Sequence, residues 1–276
     1  MSSVQKHGHH KCGGSLLTLT KVLTACHCVC DFHRESASSK MYVTSSSPSY
    51  FSIKIGHPDL KSSSSTVQSR NAKSLLLHPK CAMSHGLMEW DFGIIVTSEP
   101  FNSTEHVHPF KLYSTNETLF EMLISNITDR TKCWVLGWGT PERGSPKKSR
   151  YLKMALMKII HPGKCRNLLS TRWFISESYD FSSKASICVL GVNTSDSDCT
   201  GDSGGPFVCE GIVVGIVSYG YRECGYDGLP AIYAKLSDFV DWYGSQYTRL
   251  APSSATVHRL SLPFFKCAII RMLLKI

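Results

Sequence analysis

Cys199-Thr200-Gly201-Asp202-Ser203-Gly204-Gly205-Pro206 is a segment in which one serine stands close to glycines on both sides. Glycine lets the backbone adopt positive φ and approach a bound molecule closely. It also allows consecutive backbone N–H groups to point at one spot, which an oxyanion requires. On these residues alone, a tight turn is as good an interpretation as a nucleophile. The decision depends on whether a base and a carboxylate accompany Ser203 elsewhere in the chain.

Two upstream motifs supply that base and that carboxylate. Cys12-Gly13-Gly14-Ser15-Leu16-Leu17 is followed by Val22-Leu23-Thr24-Ala25-Cys26-His27-Cys28, and Trp90-Asp91-Phe92-Gly93-Ile94-Ile95 lies between that histidine and the serine. The order along the chain is therefore His27, Asp91, Ser203. Of the three orders in which this triad occurs on unrelated folds, this one belongs to chymotrypsin-type enzymes. On these motifs the chain resembles the trypsin/chymotrypsin family of serine proteases over roughly residues 4–248.

The resemblance implies an all-β fold, with two six-stranded Greek-key β-barrels packed together and a C-terminal α-helix. We expect the first barrel to be incomplete, because the family's short hydrophobic terminus beginning Ile-Val-Gly-Gly has no counterpart before Val4. The protease domain is predicted over residues 1–250, and its parts are the barrel halves at about 1–120 and 121–236 and the closing helix at about 237–247.

Local sequence patterns add detail to this fold. Phe51, Ile53 and Ile55 alternate with polar residues, which is the period of a strand. Asp31–Ser49 is rich in serine and has no apolar period, so it predicts a surface loop beside His27. Residues 251–276 lie outside the resemblance, and their apolar run is too short and too charged to span a bilayer.

The three motif residues have the chemistry that peptide hydrolysis needs. A serine hydroxyl requires a neighbouring base, and an imidazole titrates close to neutral pH. A buried carboxylate holds the imidazole in one tautomer and stabilises the imidazolium that forms. The resemblance implies that His27, Asp91 and Ser203 form this triad and that the N–H groups of Gly201 and Ser203 form the oxyanion hole.

The resemblance also implies a substrate pocket, formed by Ser197, Asp198, Ser218, Tyr219, Gly220 and Ala231. Ser197 stands at the floor position, where serine is typical of a preference for large apolar side chains. Asp198 is its neighbour and favours basic side chains, and Ala231 narrows the slot. The sequence therefore leaves the preference open between large apolar residues, which we favour slightly, and basic residues.

Eight of the twelve cysteines have partners in the family pattern. The implied disulfides are Cys12–Cys28, Cys133–Cys209, Cys165–Cys188 and Cys199–Cys224. The remaining cysteines are Cys26, Cys30, Cys81 and Cys267. Cys26 and Cys30 are open to pairing with each other, to pairing with Cys81, or to remaining unpaired. The stretch from Cys26 to Cys30 resembles zinc ligands when taken alone, but we predict no metal and no cofactor.

Composition points to a secreted protein with a basic surface. The chain has 276 residues and 42% hydrophobic content, which suits one large all-β domain or two small ones. Its net charge of +9 suggests attraction to acidic glycans, but we favour the interpretation of a solvated basic surface. Nucleic acid is not predicted, because no basic stripe is interleaved with aromatics. Twelve cysteines and four glycosylation sequons, at Asn102, Asn116, Asn126 and Asn193, indicate an oxidising secretory route. Polypeptide substrates and serine-protease inhibitors are the expected protein partners.

Residues 1–11 contain neither a signal peptide nor the family's activating terminus. In the family, the newly cut terminal ammonium pairs with the aspartate before the nucleophile, here Asp202, and holds the oxyanion hole open. We therefore expect the true start to be missing and the chain as written to be a weak protease. His7, His9 and His10, which lack spaced acidic or cysteine partners, are interpreted as a solvent-exposed turn.

Two other functions compete with peptide hydrolysis. One is a binding protein on a protease scaffold, catalytically silent because its start is missing, since a fold does not fix a function. The other is a metal-binding protein, based on the cysteines around His27.

Overall fold

The computed structural model describes residues 1–34, 40–84, 86–128, 130–141, 145, 147–170, 179–193, 196–220, 224 and 228–250. The predicted tail at 251–276, including Cys267, lies outside the described residues. The described residues form two closed six-stranded antiparallel barrels, a separate four-stranded sheet and three α-helices. None of the described helices combines the length and apolar character that a membrane-crossing helix needs.

The first barrel is closed, so the expectation of an incomplete barrel is wrong. Its strands are β1 (Ser2–Lys6), β2 (His9–Thr18), β3 (Lys21–Thr24), β6 (Phe51–Ile55), β7 (Gln68–Leu77) and β10 (Gly93–Thr97), in the order β1-β2-β3-β10-β7-β6. Strand β1 pairs with both β2 and β6, with Val4 opposite Ile53 on the closing side. Both side chains are fully buried, and their apolar contact supports closure through β1.

The second barrel is also closed and six-stranded. Its strands are β11 (Cys133–Gly137), β12 (Lys153–Ile159), β13 (Ser186–Gly191), β14 (Pro206–Cys209), β15 (Ile212–Tyr219) and β16 (Ala231–Lys235), in the order β11-β12-β13-β16-β15-β14. One continuous hydrophobic core runs through both barrels and includes buried aromatic residues of each, such as Phe92 and Phe207. The expected pair of barrels is therefore confirmed.

The stretch predicted as a surface loop at Asp31–Ser49 instead contains two paired strands. Strands β4 (Cys30–Arg34) and β5 (Lys40–Ser45) form a hairpin that pairs onward with β8 (Ala82–Ser84) and β9 (Leu87–Glu89). The side chains of β5 alternate between half-buried and exposed, because one face packs on the protein and the other contacts solvent. The alternation is not visible in the sequence because the apolar Tyr42 lies on the exposed face, between the half-buried Met41 and Val43.

Three helices accompany the barrels. Helix α1 (Glu117–Ser125) lies in the connection between the two halves, where no helix was predicted, and the side chain of Asn116 accepts a bond from the Leu119 N–H at its start. Helix α2 spans Pro162–Ser170, and helix α3 spans Leu236–Leu250. Phe239, in the first turns of α3, is fully buried against Phe92, so α3 packs on the core close to Asp91.

Candidate active site

His27 lies in a three-residue 3-10 turn that is fixed on both sides. The turn spans Cys26–Cys28 between β3 and β4. Cys28 forms a disulfide with Cys12 of β2, and Cys26 forms one with Cys81. Both flanking cysteines are fully buried, whereas the His27 side chain is 22% exposed. The two disulfides therefore hold the backbone of the turn in place, while the His27 imidazole stays partly exposed to solvent.

Asp91 follows an unusual residue, Trp90, which has a positive φ of 52°. The Trp90 ring stacks on His78, with ring centroids 4.9 Å apart, and the Lys80 ammonium lies 4.2 Å from its centroid. Its backbone N–H donates to the carbonyl of Lys184. These contacts hold a conformation that a bulky residue seldom adopts. The resulting bend directs the Asp91 carboxylate into the interior.

The Asp91 carboxylate joins His27 to the second barrel. Its Oδ1 accepts from the His27 backbone N–H at 2.9 Å, and its Oδ2 accepts from His27 Nδ1 at 2.7 Å and from Ser218 Oγ at 2.5 Å. Burial raises the pKa of Asp91, but the nearby His27 and these hydrogen bonds lower it by more. The net pKa lies below the usual range, so Asp91 carries a negative charge beside the imidazole.

Ser203 lies on a turn that Asp202 anchors. The buried Asp202 carboxylate accepts from the N–H of Gly139 at 2.6 Å and from the N–H of Cys199 at 2.8 Å. Gly201 has a φ of +107°, which only glycine adopts readily. Among the hydrogen bonds between described residues, none uses the N–H of Gly201 or of Ser203 as donor.

The two barrels bring Ser203 and His27 to the same sulfur atom. Cys28 Sγ, which is part of a disulfide, lies 3.9 Å from His27 Nε2 and 3.7 Å from the Ser203 carbonyl oxygen. That carbonyl oxygen accepts a hydrogen bond from the Gly13 N–H at 2.8 Å. Within the described part of the chain, no hydrogen bond links the Ser203 hydroxyl to the imidazole. Such bonds are often long without substrate and shorten in the complex.

The predicted pocket residues also lie together. Asp198 is buried, and its Oδ1 accepts from the Tyr233 hydroxyl at 2.9 Å. A Cβ added to Gly220 would lie 3.4 Å from Ala231 Cβ and 3.8 Å from Asp198 Oδ2, so Gly220 lies close to both residues. Ser197 donates its hydroxyl to the Asp198 carbonyl. Burial, and next the charge of Asp202, raise the pKa of Asp198 to about 6.

Three contacts at the site were not predicted. Ser218 was assigned to substrate binding, yet its hydroxyl supports Asp91. Tyr233, which supports Asp198, had no predicted role. His10 was assigned to a solvent-exposed turn, but it is half-buried and its Nε2 donates to the Gly201 carbonyl at 3.0 Å. Because the last pair is 191 residues apart in sequence, no local signal identifies it.

The cysteines pair as the resemblance implies, with one addition. The structure contains Cys12–Cys28, Cys133–Cys209, Cys165–Cys188, Cys199–Cys224 and the further pair Cys26–Cys81, while Cys30 is a free buried thiol. Two groups of metal-ligand side chains occur in the described residues, and both include disulfide-bonded cysteines. A disulfide offers no thiolate to a metal ion, so the zinc interpretation gains no support.

Comparison with known proteins agrees with this arrangement. The sequence model of the family described as Trypsin matches residues 1–243. The chain is 29% identical over 241 residues to a trypsin beta of Drosophila erecta, a match that covers 87% of this chain and 80% of that protein. It is 28% identical over 244 residues to a trypsin of Phaedon cochleariae, a match that covers 88% of this chain and 81% of that protein.

Two solved structures share the fold. Neuropsin, a serine protease expressed in the limbic system of mouse brain, superposes with a TM-score of 0.68 at 24% identity, covering 89% of this chain and 93% of that one. Human heparin binding protein superposes with a TM-score of 0.65 at 22% identity, covering 92% of this chain and 93% of that one.

The raised pKa of Asp198 predicts a pH-dependent stability difference. The folded pKa is about 6, against roughly 3.9 for an unfolded aspartate. The unfolded chain therefore releases this proton at lower pH, and the contribution of Asp198 to stability is lost as the pH rises through about 6. Asp198→Asn should become more stable relative to the unmodified chain between pH 4 and 6.5, by up to about 2–3 kcal/mol in urea unfolding. A constant difference across this range would contradict the assignment.

Proposed function

The chain belongs to the Trypsin family of serine proteases, and from this premise we propose that it is an endopeptidase that hydrolyses polypeptides through Ser203, His27 and Asp91. The observation that carries the proposal is the two-point contact between His27 and Asp91, through the backbone N–H and through Nδ1. This contact leaves Nε2 of the imidazole as the basic nitrogen, on the side where Cys28 Sγ contacts both His27 and Ser203.

The reaction proceeds in two halves. The Ser203 oxygen attacks the carbonyl carbon of the peptide bond while His27 Nε2 takes the hydroxyl proton. The resulting oxyanion accepts hydrogen bonds from the N–H groups of Gly201 and Ser203. The imidazolium then gives its proton to the leaving amine, and an ester of Ser203 remains. A water molecule, deprotonated by the same imidazole, attacks that ester and releases the carboxylic acid product and free Ser203.

The exposure of Ser203 and the buried charge of Asp91 favour hydrolysis over a role in binding alone. The Ser203 side chain is half-buried, not sealed, and the N–H groups beside it have no partner among the described residues. A buried charge such as Asp91 is costly to maintain, and one of the three hydrogen bonds that stabilise it comes from the His27 imidazole. A protein that used only its surface would have no requirement for this arrangement.

We infer a preference for basic residues on the amino side of the cleaved bond, the P1 position. The Asp198 carboxylate lies beside Gly220, which in turn lies close to Ala231, and above pH about 6 it is ionised. Its described partner, Tyr233, is a neutral hydroxyl, so a substrate guanidinium or ammonium supplies the missing countercharge. Ser197 directs its hydroxyl to a backbone carbonyl, which leaves Asp198 as the group that selects the side chain.

We propose that the protein acts outside the cell. The five disulfides among the described residues are stable in oxidising compartments, and the four sequon asparagines Asn102, Asn116, Asn126 and Asn193 are all exposed. Serine-protease inhibitors and acidic glycans remain proposed partners, the latter from the net charge of +9.

A serine-directed fluorophosphonate probe tests the reaction. The unmodified chain should be labelled covalently, and Ser203→Ala should not be, because the nucleophile is gone. Asp91→Asn should keep the fold and slow peptide hydrolysis by about 10⁴-fold, since the imidazole loses its correct tautomer. Ser49→Ala, at an exposed serine, is the matched control and should label fully. Equal labelling of Ser203→Ala, read by mass spectrometry, would exclude the proposed nucleophile.

A panel of peptides with Arg, Lys, Phe, Tyr or Leu at P1 tests the pocket. At pH 8 the Arg and Lys peptides should have the highest kcat/KM, by about 10- to 100-fold, because a charge-assisted contact forms only with them. This advantage should shrink below pH 6 and disappear in Asp198→Asn. The control Asp196→Asn removes a neighbouring charge and should keep the preference for Arg and Lys peptides. Faster cleavage after Phe or Leu at pH 8 would instead support the apolar pocket.

A further inference from the structure

The disulfide Cys26–Cys81 lies next to the Asp91 carboxylate. The two sulfurs and a carboxylate oxygen of Asp91 are within 4.8 Å of one another. Cys26 has no exposed surface, Cys81 is 6% exposed, and Asp91 is 1% exposed. This disulfide is the one described pair that the family pattern did not imply, and it includes the residue directly before His27.

A small hydrophobic cluster surrounds this disulfide. Cys26, Cys81, Cys30 and Met88 form its buried centre. The half-buried side chains packed against that centre are Phe32, Val43, Leu77, Met83 and Tyr219. They come from the four-stranded sheet, from β7 and from the end of β15. The cluster thus connects the His27 turn with the four-stranded sheet and with Tyr219 at the end of β15.

The His27 turn depends on external support. It contains three residues, and no side chain caps its start at Ala25. Its two ends are instead cross-linked to different elements, Cys28 to β2 and Cys26 to the residue before β8. Both hydrogen bonds from His27 to Asp91, one from the backbone and one from the ring, require this turn to keep its position.

We propose that the Cys26–Cys81 disulfide is a positioning element for peptide hydrolysis: it holds the His27 turn against Asp91 and keeps water away from the carboxylate. The inference rests on the proposed function of the triad. Errors of about 1 Å in the placement of catalytic groups lower rates by as much as 100-fold. The cross-link therefore contributes to turnover itself and not only to the stability of the fold.

The free thiol of Cys30 does not react with this disulfide. Burial, and next the charge of Asp91, raise the pKa of its thiol to about 12. Disulfide exchange requires a thiolate. Cys30 therefore stays protonated at working pH and leaves the neighbouring disulfide intact.

The test compares kcat and KM in matched variants, well below their melting temperatures. Cys26→Ala/Cys81→Ala should lower kcat by about tenfold or more, with KM within about twofold of the unmodified chain. Cys26→Ala/Cys81→Val restores part of the lost volume without the bond and should show the same kcat defect. Turnover is expressed per labelled Ser203, so a preparation that is only partly folded still gives a value.

Two controls separate positioning from general stability. Cys133→Ala/Cys209→Ala removes an equally buried disulfide of the second barrel and should lower the melting temperature while kcat stays unchanged. Cys30→Ala alters the same cluster without breaking the bond and should also keep kcat. An unchanged kcat in both Cys26/Cys81 variants, or an equal fall in the Cys133/Cys209 control, overturns the inference. An unmodified chain that neither labels nor turns over refutes the proposed function instead.

Discussion

The buried charge of Asp91 is the constraint on which the site depends. A carboxylate that is 1% exposed is costly unless hydrogen bonds replace its water. Here the first barrel supplies two donors from His27, and the second barrel supplies the Ser218 hydroxyl. Since neither barrel satisfies Asp91 alone, the docking of the barrels and the orientation of the imidazole are linked.

A second buried carboxylate shapes the opposite side of the site. Asp202 lies so close to Gly137 and Gly139 that a Cβ on either would clash with its side chain. Its bonds to backbone N–H groups fix the turn that carries Ser203, while His10 binds the Gly201 carbonyl from the first barrel. The orientation of the Gly201 and Ser203 N–H groups thus follows from glycines that leave room for Asp202 and from the contact of His10 with Gly201 across the two barrels.

The two barrels were expected from the resemblance to the trypsin/chymotrypsin family, which rests on motifs that are local in sequence. The glycines around Ser203 and the alternation of Phe51–Ile55 are visible within a few residues. The paired strands within Asp31–Ser49 are not, since the exposed Tyr42 interrupts the apolar–polar alternation of β5 and their partner β8 is distant in sequence. The Cys26–Cys81 pair was one of several open choices, because a count of cysteines leaves their connectivity undetermined.

The central claim is that Ser203 becomes acylated by the substrate with the help of His27 and Asp91. Rapid quenching of the protein with an activated peptide ester, followed by mass spectrometry, measures this directly. The account predicts a transient mass increase equal to the acyl group, located in the peptide that contains Cys199–Pro206 and absent in Ser203→Ala. Turnover without such an adduct, or an adduct on another residue, would contradict it.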